Sequence, residues 1–283
     1  MNSDLAGRIC VLTGANRGIG RATAEGLAAL GGRMVLVCRR REDGERVARE
    51  IAGRGNPRPE VFAADLSSQA SIRQAAAEIQ ARHPKLHVLI NNAGIIPRRR
   101  EVTVDGLEMQ FAVNHLAYFL LTHLLLPPLR AGAPSRIINV SSGAHSGARL
   151  DFADLQSERG YHPKEVYCRT KLANVLFTYE LARRLGVSGI TVNCLTPGVV
   201  ATRMLADYMG VPRSGGGVDS TFGASPEEGA QTSIYLAASP ELESVTGKYF
   251  DDMKPAASSR ESHDAAVARR LWEISERLTG LSP

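Results

Sequence analysis

The chain is poor in features that decide a protein's class on their own. It has four cysteines in 283 residues, Cys10, Cys38, Cys168 and Cys194, and none has metal-ligand spacing. That excludes a zinc module or a disulfide scaffold; no metal is expected, and the thiols are predicted to be buried, reduced and packed as small apolar groups. Met1–Gly7 has neither a basic start nor an apolar run, so no signal peptide is expected. The most apolar stretch, Leu116–Leu129, is interrupted by His123 and Pro127-Pro128, which reads as too short and too broken to span a bilayer. A soluble cytoplasmic protein with no integral membrane segment is the expectation. There is no internal repeat and no linker long enough to divide the chain. The net charge of +5 is mild for this length. Arg39-Arg40-Arg41 and Arg98-Arg99-Arg100 concentrate it without any recognition motif, so no nucleic acid partner is expected.

What is present is alternation. Apolar strand-like runs stand at Ile9–Leu12, Met34–Cys38, Glu60–Ala63, Val88–Asn91, Arg136–Val140, Thr191–Leu195 and Lys248–Phe250. Between them, helical stretches begin near Gly18, Asp43, Ser68, Gly106, Lys164 and Pro226, and helical spacing resumes over Asp264–Leu278. This predicts an α/β fold, a doubly wound, seven-stranded parallel sheet with helices on both faces. One domain over 1–283 is expected, with a dinucleotide-binding half over about 1–145 and a catalytic half over about 146–283. The irregular segment 198–225 contains Gly215-Gly216-Gly217 and reads as a mobile loop over a substrate. In such a sheet, ligands bind beyond the carboxyl ends of the strands.

Two motifs fall at those ends. Thr13-Gly-Ala-Asn-Arg-Gly-Ile-Gly20 follows the first strand and opens a helix, the context of a dinucleotide fingerprint. Gly14 permits the tight turn, Gly18 lets backbone N–H groups approach a pyrophosphate, and Gly20 lets the helix pack closely. Tyr167 and Lys171 lie four residues apart, about one helical turn, on the same face. A phenol, with a pKa of roughly 10, serves as an acid or base near neutrality only if lowered; about three units correspond to roughly 4 kcal/mol, which a fixed ammonium can largely supply.

Together, Thr13-Gly-x-x-x-Gly-x-Gly20 and Tyr167-x-x-x-Lys171 resemble the short-chain dehydrogenase/reductase family. Further marks follow in the family's order: Asp65-Leu66, Asn91-Asn92-Ala93-Gly94, Asn114, Ser141-Ser142, and Pro197-Gly198 with Thr202. Tyr167-Cys-x-x-Lys-Leu-Ala-Asn174, Asn139-Val-Ser-Ser-x-Ala-His145 and Lys248-Tyr-Phe250 resemble its retinol-dehydrogenase-like branch. The membrane-bound retinol enzymes carry an N-terminal apolar anchor, whereas this chain begins almost directly at its first strand. The resemblance implies a single-domain Rossmann fold and four catalytic residues, Asn114, Ser142, Tyr167 and Lys171. Ser142 is preferred over Ser141 because the family's serine is usually the second of such a pair; the gap to Tyr167 is long, with an insertion around Gly147–Tyr161. The resemblance also implies a dinucleotide held by Gly14, Asn16, Arg17, Gly18, Ile19 and Gly20, by Asp65 and Leu66 at the adenine, and by Asn92, Ala93 and Gly94. Tyr167, Lys171, Pro197, Gly198, Val200 and Thr202 complete that set. Ser142, Arg149, Tyr161, Met204, Leu205 and Tyr208 are the candidate substrate residues. A homodimer or homotetramer through helix faces is common in the family. His115, His145 and His162 lie near these motifs and are read as structural.

The cofactor follows from the end of the second strand. A chain choosing NAD usually places Asp or Glu there for the ribose 2′-hydroxyl. Cys38 occupies that position and cannot serve, Arg39 comes next, and Arg17 lies within the glycine turn. Two guanidinium groups suit a 2′-phosphate, so NADP(H) is expected. The reaction expected is hydride transfer between the nicotinamide and a small lipophilic carbonyl or alcohol, retinal-like, with Tyr167 as acid or base. A reductase of a polyketide-derived or other secondary-metabolite carbonyl is not separated by these residues. A silent NADP(H)-sensing protein would be expected to lack Tyr167 or Lys171. A nucleotide-sugar epimerase would have other glycine spacing and a longer C-terminal domain.

Overall fold

The computed structural model describes residues 4–209 and 223–281. Seven parallel strands form one sheet: β1 (Ile9–Thr13), β2 (Arg33–Cys38), β3 (Glu60–Ala63), β4 (Val88–Asn91), β5 (Ser135–Val140), β6 (Ile190–Leu195) and β7 (Tyr249–Asp251). Their spatial order is β3-β2-β1-β4-β5-β6-β7, so the strand order reverses beside β1, the crevice where such sheets bind ligands. An eighth strand, β8 (Lys254–Ala256), extends the expected seven and pairs antiparallel with β7. Its two-residue turn, Asp252-Met253, has both residues at positive φ, 45° and 60°. Asn-Gly or Asp-Gly usually signals such a turn, and Asp-Met does not.

The strands read as continuous apolar runs because both faces are covered. In β1, Val11 enters one core while Cys10 and Leu12 enter the other; in β2, Val35 and Val37 alternate with Met34, Leu36 and Cys38. One core receives α3 (Gln69–Arg82), α5 (Ala117–Ala131), α6 (Pro163–Leu185) and Trp272 of α9 (Ala265–Thr279). The other receives α1 (Gly18–Ala29), α2 (Arg41–Gly53) and α8 (Pro226–Ala238). All four cysteines are free, three of them buried.

The helix expected near Gly106 begins later, at α4 (Met109–Phe111), capped by the buried carboxylate of Glu108, which accepts from Gln110 N–H and Phe111 N–H at 2.8 and 2.7 Å. It continues through a π-helical turn, Ala112–Leu116, into α5. Pro127-Pro128 does not break this helix as the sequence predicts. Pro128 lacks the N–H that would reach the carbonyl of Leu124, and Gln80 Nε2 donates to that carbonyl instead at 2.9 Å. Met109–Ala131 is therefore 23 helical residues, long and apolar enough to cross a membrane by length and composition, with 78% of its apolar window buried inside the fold.

Candidate active site

The carboxyl ends of β1, β4 and β5 bring the motifs together. Thr13 ties two of them: its Oγ1 accepts from Asn92 N–H and Ala93 N–H at 2.9 and 3.1 Å, and its carbonyl accepts from Asn92 Nδ2 at 2.8 Å. Gly14 has φ +71°, which an L side chain rarely adopts, and a Cβ there would meet Ala93 Cα at 2.9 Å. At Gly20 a Cβ would stand 2.2 Å from the Gly14 carbonyl oxygen, so the first turn of α1 presses directly on the glycine turn. Arg46 Nη2 donates to the Asn16 carbonyl at 3.1 Å and steadies the same turn from α2.

The tyrosine and lysine project from α6 toward β5. Tyr167 is buried, and its hydroxyl donates to Met204 Sδ at 3.7 Å, with Ser142, at the end of β5, close enough to favour the ionised phenol. Lys171 is 2% exposed; its Nζ donates to the Val140 carbonyl at 3.0 Å and lies 5.5 Å from the Tyr167 ring centre. The two serines separate. Ser141 Oγ donates to the Lys171 carbonyl at 2.8 Å and is consumed in packing, while Ser142 faces the phenol. Asn114 sits in the π-helical turn, a distortion frequent at functional sites. Its Oδ1 accepts from Ile95 N–H at 2.8 Å, its Nδ2 donates to the Ile95 carbonyl at 3.0 Å and to Thr170 Oγ1 at 3.2 Å, and its own carbonyl accepts from Asn174 Nδ2 at 2.9 Å.

Burial dominates the electrostatics. It pushes the Lys171 ammonium down to about 7 and the Tyr167 phenol well up, with only the Ser142 hydrogen bond pulling the phenol back. In this arrangement the Lys171 ammonium is engaged by the Val140 carbonyl and is itself destabilised by burial. An un-ionised phenol facing a serine hydroxyl, beside a buried amine, can deliver a proton to an oxygen placed between Tyr167 and Ser142.

The comparisons with known proteins identify the family. The family model described as short chain dehydrogenase matches residues 8–209. The chain belongs to the short-chain dehydrogenase family. It is 48% identical to human retinol dehydrogenase 13 over 98% of this chain and 86% of that protein. Among solved structures, it is similar to an uncharacterized protein from Mycobacterium paratuberculosis, with TM-score 0.80 and 33% identity over 98% of this chain and 95% of that one. It is also similar to a short chain dehydrogenase from Escherichia coli complexed with NADPH, with TM-score 0.71 and 25% identity over 90% of this chain and 100% of that one. The chain is thus an oxidoreductase of the retinol-dehydrogenase-like branch whose cofactor is NAD(P)(H).

The family's cofactor fits the residues present. Arg17 is exposed and Asn16 half-buried in the Gly14–Gly20 turn, and a Cβ on Gly94 would meet Asn114 Oδ1 at 3.5 Å and Lys171 Nζ at 3.8 Å, so a glycine leaves backbone bare beside those side chains. Thr202 Cγ2 lies 3.4 Å from where a Gly18 Cβ would stand, and Val200 and Ile19 both pack where a Gly229 Cβ would point. These contacts join the loop after β6 to the glycine turn; Pro197 is half-buried and Gly198 exposed along it. Asp65 is exposed, accepting from Ser67 N–H at 2.9 Å, and Leu66 packs on the α3 side of the sheet. Of the three consecutive arginines, Arg40 pairs with Asp43 at 2.7 Å and Arg41 donates to the Val61 carbonyl at 3.0 Å. Arg39 is exposed, and its side chain has no hydrogen bond or ion pair among the described residues. Arg17 is exposed at the start of α1.

The candidate substrate residues divide. Met204, Leu205 and Tyr208 lie on α7 (Arg203–Met209); Met204 touches the Tyr167 hydroxyl, and the Tyr208 ring stands edge-on to Tyr167 at 5.7 Å. Tyr161 is half-buried, but its hydroxyl is occupied, donating to the Pro97 carbonyl and accepting from Gln110 Nε2, both at 2.8 Å. The Arg149 side chain is 85% exposed and pairs with Glu261 at 3.8 Å, away from the apolar cover of the phenol. The loop read at 198–225 contains α7, and 210–222 lie outside the described residues. Thr13 and Asn174 entered from sequence only as members of motifs, with no role given, and Arg46 and Thr170 were not singled out. A signal existed for two of them: Tyr167, Thr170, Lys171, Asn174 and Thr178 form a polar stripe at helical spacing.

Proposed function

We propose that the chain is an NADP(H)-dependent reductase of small lipophilic aldehydes or ketones, retinal-like in character, with Tyr167 as proton donor. The observation that carries the cofactor preference is Arg39, the one guanidinium of its run left without a partner among the described residues, following a cysteine where an acid would favour NAD. The lipophilic substrate is supported by the Met204–Tyr208 cover over the phenol and by the similarity to retinol dehydrogenase 13.

Bound NADPH supplies the hydride. The chain's residues do the rest: the Ser142 hydroxyl holds the carbonyl oxygen, and Tyr167 gives it a proton. Lys171 stabilises the phenolate left behind, and Asn114 keeps the segment after β4 in register through its paired bonds with Ile95. A phenol held un-ionised by burial suits this direction of reaction.

The test is titration of NADPH and then NADH, followed by NADPH oxidation with a panel of lipophilic aldehydes and ketones including retinal. Arg39→Asp is expected to weaken NADPH about 10-fold or more, since one hydrogen bond to a charged group contributes about 1.5–3 kcal/mol, and to admit NADH. Unchanged nucleotide preference in that variant overturns the NADP assignment, and turnover confined to small hydrophilic carbonyls overturns the substrate class.

A further inference from the structure

His145 follows Ser142 by three residues, is 1% exposed, and is not used in the mechanism above. Its ring bridges two distant parts of the chain. Nδ1 is 2.7 Å from the Ser142 carbonyl oxygen, and Nε2 is 3.0 Å from the backbone nitrogen of Ser259, 114 residues away. The first partner can only accept and the second can only donate, so the imidazole is neutral with its proton on Nδ1. The ring also packs, tilted, against Tyr249 of β7, 4.9 Å between ring centres. Ser259 belongs to a short strap that is anchored independently: Ser258 Oγ lies 2.7 Å from Tyr179 Oη on α6 and 3.0 Å from His263 Nε2, and the His263 ring stacks on Tyr179 at 5.2 Å. This strap lies beyond residues 8–209, the part matched by the family model.

We propose that His145 is a positioning residue for Ser142, through which the C-terminal strap Ser258–His263 holds the serine against the Tyr167 hydroxyl. The inference rests on the catalytic reading of Ser142. Ser142 has an extended backbone, and its side chain accepts from Ala144 N–H at 3.2 Å, so the hydroxyl's direction depends on the short turn Gly143–His145 that the imidazole closes. Releasing the imidazole frees that turn, and a displacement of about 1 Å at a positioning group can lower a rate about 100-fold.

The link also has a chemical signature. A proton on Nε2 would face the Ser259 N–H donor to donor and break the strap's hold. Burial holds the imidazole below its ordinary range, opposed only by the Ser142 bond, and no charged group contributes to the shift. The titratable groups packed near it are Tyr249 and, behind it, Tyr179 and Cys194, all kept neutral by burial. Glu261 of the strap is turned to Arg149.

The experiment compares wild type, Ser142→Ala, His145→Phe and His145→Asn in steady-state carbonyl reduction with NADPH across pH. His145→Phe keeps the ring against Tyr249 and removes both hydrogen bonds; kcat is expected to fall about 10- to 100-fold with nucleotide affinity unchanged. His145→Asn keeps a donor near Nδ1 without titrating; it is expected to recover most of kcat and to lose an acid limb that wild type shows below about pH 6.5. Wild-type kcat in His145→Phe, even with a lower melting temperature, overturns the proposal, as does an acid limb retained in His145→Asn. Should His145→Phe not fold, the acid limb alone decides. Loss of activity in Ser142→Ala with none in His145→Phe rejects this proposal only, whereas an active Ser142→Ala rejects the reading of the serine itself.

Discussion

Lys171 and Tyr167 show how a site residue can work against the stability of its own fold. The ammonium is buried, donates to the Val140 carbonyl, and is held down by burial with no carboxylate to offset it. Its ionisation at about 7, against about 10.5 in the unfolded chain, means that the unfolded state binds the extra proton between those values. Stability therefore rises with pH across that window, by up to about 1.4 kcal/mol per pH unit, and the full cost of the buried charge is present below pH 7. Lys171→Met removes this dependence. Its unfolding midpoint should exceed that of wild type most at pH 6 and least near pH 10, while turnover is lost; parallel pH profiles for the two proteins would mean that Lys171 is not buried as a charge. Tyr167→Phe isolates the other member. It removes only the hydroxyl that touches Ser142 and Met204, so kcat should fall about 10²- to 10⁴-fold while NADPH fluorescence titrations remain nearly unchanged. Substantial residual turnover would assign the proton to another group.

At the scale of elements, the strands and helices were legible in the sequence because a parallel sheet covered on both faces leaves uninterrupted apolar runs, and the glycine turn sits where strand gives way to helix. The site residues that were missed act through their neighbours. Thr13 and Arg46 hold backbone atoms of the two cofactor turns, and neither side chain type announces such a bond. The pairing of Arg149 with Glu261, remote in sequence, could not be foreseen without the tail's path. The prolines in α5 read as breaks because the compensating donor, Gln80, lies on a different helix. The contact between α1 and the glycine turn can be tested directly. Gly20→Ala would set a methyl against a backbone oxygen that has no room to move, at 2.2 Å. The expected cost is about 1–3 kcal/mol in urea unfolding, with a marked loss of NADPH affinity, because the turn must shift to admit the methyl. Wild-type affinity in a folded Gly20→Ala would show that the turn's position is not what binds the nucleotide.

For the molecule as a whole, the tail is part of the core. Beyond β7, the chain runs through β8 and the strap to α9, which packs on α6 and sets Trp272 against Phe119 and Phe177, 5.0 and 6.0 Å away between ring centres. Arg184 covers the outer face of that indole at 4.1 Å, and His123 meets it at 5.0 Å. Ser275 of the same helix lies 3.0 Å from His115 Nε2, and His115 Nδ1 faces Asn174 Oδ1 at 3.4 Å, so a polar path leads from α9 to the residue that holds the Asn114 carbonyl. Burial keeps His115 neutral, its ionisation pushed down to about 4, so this path carries no charge at working pH. Trp272→Ala removes the aromatic centre of that contact. A buried tryptophan truncated to alanine costs about 3–5 kcal/mol, a large share of the roughly 5–15 kcal/mol that holds a domain folded. If α9 is integral, the urea midpoint should drop in a single transition that also carries away activity, because the helices bearing Asn114 and Tyr167 lose a common support. An early transition in far-ultraviolet circular dichroism that leaves turnover intact would instead make α9 an appendage that unfolds alone.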